Sequence, residues 1–115
     1  MEQKTWYSAQ LLFRSEVITE SIEYDTDTYE ESIILIKATT KDEAFQIALN
    51  KGKTEEQKYK NDKNEEVSWR FIKVIDVFEI LEETINCGTE VFSRFILVPT
   101  KTNINEILNR FYQEQ

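Results

Sequence analysis

Trp69, Arg70, Glu90 and Arg94 are the residues of this sequence best equipped to hold a small molecule. Guanidinium groups grip carboxylates or phosphates through paired hydrogen bonds, and an indole stacks on aromatic or cationic groups. The same residue types also build the core and rim of ordinary folds, so the four define a ligand-binding or enzyme alternative and no particular reaction. Asp76, Glu79 and Glu90 could supply paired carboxylates for acid–base work. Strand alternation, however, puts Asp76 and Glu79 on opposite faces unless a bulge intervenes. Asp25-Thr26-Asp27 opens like a calcium loop, but Tyr29 and Glu30 stand where such a loop needs an oxygen ligand and a glycine. Cys87 is the single cysteine, and Glu82, Glu83 and Glu90 surround it in sequence, which disfavours the thiolate a nucleophile needs. Histidine is absent, which removes Ser-His-Asp and Cys-His catalysis and histidine metal sites. Two glycines cannot make a phosphate-cradling loop. No catalytic residue, metal or cofactor is expected.

Charge supplies the second set of candidates. The 115 residues carry 14 basic and 22 acidic side chains, a net charge of −8. That balance argues against a nucleic-acid binder that neutralises phosphates, and against attachment to anionic membranes. The acidity is local. Residues 15–36 hold seven acids and no base (Glu16, Glu20, Glu23, Asp25, Asp27, Glu30, Glu31), and residues 74–93 hold five more (Asp76, Glu79, Glu82, Glu83, Glu90). Residues 94–115 are net +1. The longest aliphatic runs, 33–36 and 95–98, are far short of the roughly 20 residues of a membrane helix. Met1 to Trp6 carry no apolar stretch after Lys4, so no signal peptide is expected. With one cysteine, an intrachain disulfide is impossible, and a cytoplasmic location follows as an expectation.

The elements that must position these residues fit a single domain over 1–115, a length typical of one domain. Alternation puts Tyr7, Ala9, Leu11, Phe13 and Val17 on one face of a strand over Thr5–Ile18. A second strand is expected over Ser32–Ala38. Thr40 with Glu43 forms a capping box, opening a helix whose stripe includes Ala44, Phe45, Ile47, Ala48 and Leu49. Gly52 is a candidate stop, although residues 53–60 have the propensity to extend the helix. Asn61–Glu66 reads as a charged loop, Val67–Leu81 as a third strand and Thr89–Val98 as a fourth. Asn86-Cys87-Gly88 makes the turn between them, and Pro99 ends the fourth strand. A second helix begins at Thr102 or Asn103, with Ile104, Ile107, Leu108, Phe111 and Tyr112 as its apolar stripe. The order is ββαββα. Sheet faces must be covered, so the expected fold is α+β: a four-stranded, mostly antiparallel sheet with two helices on one face, a permuted ferredoxin-like arrangement.

The third strand is apolar on both faces, with Val67, Trp69, Phe71, Ile75 and Val77 on one and Ile72, Val74, Phe78 and Ile80 on the other. A bulge near Lys73–Asp76 would explain part of this by switching parity. Burial of the open sheet face in a homodimer would explain it too, and Trp6 and Leu12 share that face.

Trp6-Tyr7-Ser8-Ala9, Tyr29-Glu30-Glu31-Ser32-Ile33-Ile34-Leu35, Val67-Ser68-Trp69, Asp76-Val77-Phe78-Glu79 and Gly88-Thr89-Glu90-Val91-Phe92-Ser93-Arg94 together resemble domain of unknown function 4288. The resemblance covers about residues 5–98. It implies a small bacterial protein of which this domain usually makes up the whole chain, and it brings no activity, cofactor or site residue. The leading functional expectation is therefore an acidic protein-interaction module, homodimeric through the open sheet face. Its acidic loops (Glu20, Glu23, Asp25, Asp27, Glu30, Glu31, Glu82, Glu83) would meet a basic protein partner, as an immunity or inhibitor protein does. Binding of a small ligand near Trp69, Arg70, Glu90 and Arg94 is the alternative.

Overall fold

The computed structural model describes residues 3–18 and 28–112. β1 (Thr5–Ile18), β2 (Thr28–Ala38), α1 (Lys41–Thr54), β3 (Gln57–Lys60), β4 (Glu66–Glu79) and α2 (Ile104–Phe111) follow one another in the order ββαββα. The strands form one curled antiparallel sheet in the order β2-β1-β4-β3, and the α+β class is as expected.

Alternation along β1 decides which face is inner. Tyr7, Ala9, Leu11 and Phe13 are buried, and they meet Ile36 and Ala38 of β2, Val74 and Val77 of β4, and Ala44 and Ala48 of α1. Small residues on α1 let the helix lie close to the sheet. Gly52 shows how close: a Cβ added there would sit 2.4 Å from the Phe71 ring. Gly52 is thus a packing residue inside the last helical turns, and α1 runs on to Thr54. At the other end Thr40 accepts a hydrogen bond from the Glu43 N–H at 3.1 Å. The Glu43 carboxylate reaches back one residue further than a standard capping box, to the Thr39 N–H and hydroxyl.

β4 resolves its two-faced apolar pattern with bulges. Pairing with β1 skips Ile75 between Gln10↔Asp76 and Leu11↔Val74, and skips Ile72 between Leu12↔Lys73 and Phe13↔Phe71. Each extra residue restores the facing of the next, so Phe71, Val74 and Val77, three apart in sequence, all point inward.

The fourth strand is not the expected one. Residues 89–98 join no ladder, and the place beside β4 is taken by Gln57–Lys60, paired Gln57↔Trp69 to Lys60↔Glu66. The connecting turn decides this. Asn61 donates its N–H to the Glu65 carbonyl, while its side-chain oxygen accepts the N–H groups of Lys63 and Glu65 at 3.0 Å. Asn64 supplies the left-handed residue at φ 61°. That closed turn brings 57–60 alongside β4 and overrides the helix propensity of the segment. The Asn86–Thr89 turn does form, with Thr89 N–H donating to the Asn86 carbonyl and Gly88 at φ 91°. α2 starts as expected, capped by Asn103 on the Glu106 N–H at 2.9 Å. Yet α2 packs on none of the strands, and α1 alone covers the inner face of the sheet.

Among the described residues no helix is long and apolar enough to cross a membrane.

Candidate interaction surface

The outer face of the sheet is set by the same register that builds the core. Ile33 and Leu35 of β2 lie opposite Gln10 and Ser8 of β1, which in turn face Asp76 and Phe78 of β4. Trp6, with the Lys37 ammonium 5.3 Å from its ring centroid, and half-buried Leu12 extend the stripe. No helix lies over these side chains, and Ile33 and Leu35 remain 46% and 48% exposed.

One segment does cross this face. After β4 the Ile80 N–H donates to the Trp6 carbonyl, and the chain turns at Asn86–Thr89 and comes back over the sheet. The buried Ser8 hydroxyl donates to the Val91 carbonyl, and the Phe92 ring meets Phe78 at 6.2 Å between centroids. Beyond Phe92 the chain pairs with no strand, and α2 packs on none of the sheet's elements. The turn in which Thr102 N–H donates to the Pro99 carbonyl folds α2 back, so that Phe111 lies 6.0 Å from the Arg94 guanidinium. Residues 93–112 therefore form an arm made of an unpaired segment, a turn and α2. Phe95 is 97% exposed and Leu97 93%, and α2 buries no residue of its apolar stripe.

The four ligand-site candidates are not gathered round one cavity. Trp69 and Arg70 line a groove of about 500 Å³ with Glu16, Glu56, Gln57, Lys58 and Ser68, and neither Glu90 nor Arg94 contributes to it. Arg70 is engaged by Glu16 at 3.2 Å, and the Trp69 N–H donates to the Tyr59 hydroxyl at 3.3 Å. Trp69 pairs with Ser15, seven residues along β1 from the Ser8 that holds Val91, a distance of roughly 23 Å at 3.3 Å per residue. Arg94 belongs to the arm. Asp76 and Glu79 point to opposite faces, because both bulges precede them, and Asp76 accepts from the neighbouring Val77 N–H at 2.8 Å. Glu30 and Glu31 lie within β2 and not in a loop, because β2 starts at Thr28 instead of Ser32; like Glu82, Glu83 and Cys87 they are exposed. Glu20, Glu23, Asp25 and Asp27 lie outside the described residues. Among the described residues no cluster of three or more His, Cys, Asp or Glu could hold a metal.

A second groove, of about 400 Å³, was not anticipated. Its floor is Leu11, Phe13, Ile34 and Trp69, and its rim includes Glu30, Lys51 and Glu55. Element lengths were the signal for it. A 14-residue helix spans about 21 Å, whereas a 14-residue strand spans about 46 Å, so one helix leaves one end of the inner face open.

The model of the domain of unknown function DUF4288 matches residues 6–93. The chain belongs to this family. No curated protein and no solved structure matches it. In this DUF4288 chain the matched residues end at Ser93, where the arm begins, so the sheet, α1 and the Val91–Phe92 crossing form the family body and the arm lies beyond it.

Proposed function

We propose that this chain is a protein-interaction module that associates with itself through the outer face of its sheet. The observation that carries the reading is the pair of Ile33 and Leu35, half exposed on a sheet face beside an arm whose Phe95 and Leu97 are bare. Soluble monomers leave single apolar side chains uncovered, but a contiguous set on a regular face marks an association surface. Association predicts a melting temperature that rises with protein concentration, because mass action favours the assembled folded state. A melting temperature constant over a hundredfold concentration range would refute the reading.

The exposed Glu30, Glu31, Glu82 and Glu83 support a second contact, with a basic protein partner, of which an immunity or inhibitor protein is one form. Reversing these four charges to lysine should abolish a salt-sensitive complex that the unaltered chain captures from its host lysate. Equal capture by both would rule the contact out.

A further inference from the structure

The arm specifies what covers the outer face, an inference that rests on the self-association reading above. We propose that two copies exchange arms, Phe95 and Leu97 of each seating on Ile33 and Leu35 of the other. Two observations point to a second copy as the occupant. First, the arm starts on that same face. Ser8 and Phe78 hold Val91 and Phe92 there, and Leu35 is the β2 partner of Ser8, so the bare residues of the arm depart next to the bare residues of the face. Second, the molecule is drawn out. Its radius of gyration is 18.3 Å, against about 13 Å for a compact chain of this length.

The geometry suits a closed two-fold pair. In a reciprocal exchange each copy gives its arm to the other and receives the other's arm on its own face, so the pair is two-fold and closed. The arm comprises twenty residues, 93–112, in keeping with the roughly 20–30 residues a side of a standard interface. Exchange also shelters the segment 91–98, Val-Phe-Ser-Arg-Phe-Ile-Leu-Val, whose apolar, strand-forming composition is an aggregation hazard when left bare.

Complementation between variants tests the exchange. The arm variant Phe95→Glu/Leu97→Glu and the face variant Ile33→Glu/Leu35→Glu are each measured by light scattering and then mixed. The unaltered chain should have twice 13.7 kDa, and each variant should fall to 13.7 kDa with its circular dichroism retained. The mixture should regain dimer, because the good arm of the face variant still meets the good face of the arm variant. Phe95 and Leu97 touch so little that the arm variant stays informative even if the face variant misfolds. A dimeric arm variant, or a mixture of folded variants that stays monomeric, would overturn the exchange while leaving self-association standing. A monomeric unaltered chain would overturn both.

Discussion

The Ser8 hydroxyl donates a hydrogen bond to the backbone carbonyl of Val91, 83 positions further along the chain. Ser8 is a buried polar residue near the start of β1, on the side of the sheet away from α1. The bond therefore ties the root of the arm to the outer face, beside the Phe92–Phe78 ring contact.

Ser8→Ala should loosen that root. Net loss of one side-chain hydrogen bond costs about 0.5–1.5 kcal/mol. Urea denaturation should show a decrease of that size, and limited proteolysis should cut faster between residues 81 and 98. Unchanged proteolysis would mean that the Phe92–Phe78 contact alone holds the segment.

Gly52→Ala should destabilise the body. An alanine methyl would collide with the Phe71 ring at 2.4 Å, and overpacking of this kind costs about 1–3 kcal/mol. The helix-propensity gain of about 1 kcal/mol leaves a net loss of up to about 2 kcal/mol. The companion Gly52→Ala/Phe71→Leu should recover stability in thermal melts, since the clash is with the ring.

Asn61→Ala should undo the turn between β3 and β4. It removes the side-chain oxygen that accepts from both Lys63 and Glu65 and the amide that donates to Glu65 at 3.1 Å. The expected loss is about 1–3 kcal/mol from those bonds together. Amide hydrogen exchange should accelerate over 57–60 and 66–69 and remain slow over β1 and β2. Uniform acceleration across the sheet would contradict a local role for the turn.

Thr40→Ala should cost about 1 kcal/mol, the usual worth of an N-cap side chain, and Thr40→Ser should retain most of it. Chemical denaturation of the two variants side by side makes the comparison.

These elements also show what a sequence can and cannot carry. The Thr5–Ile18 strand, the Thr40 cap, the Asn86–Thr89 turn and the Asn103 start of α2 were all legible, because each depends on side chains within a few positions of one another. The β4 bulges were partly legible, since Phe71, Val74 and Val77 are spaced three apart where plain alternation needs two. The choice of fourth strand was not. Val91–Val98 has far better strand composition than Gln57–Lys60, but a strand is made by its partner, and the Asn61 turn supplies one to the poorer segment. Trp69 and Arg70 would share one site with Glu90 and Arg94 only if 89–98 paired beside β4, and it joins no ladder. Once that segment leaves the sheet, Arg94 goes with the arm and the four residues separate.

The mass of the unaltered chain in solution reports self-association without any substitution. Multi-angle light scattering at micromolar concentration and moderate salt should give twice 13.7 kDa. A mass of 13.7 kDa, constant as the concentration is raised, would contradict the account.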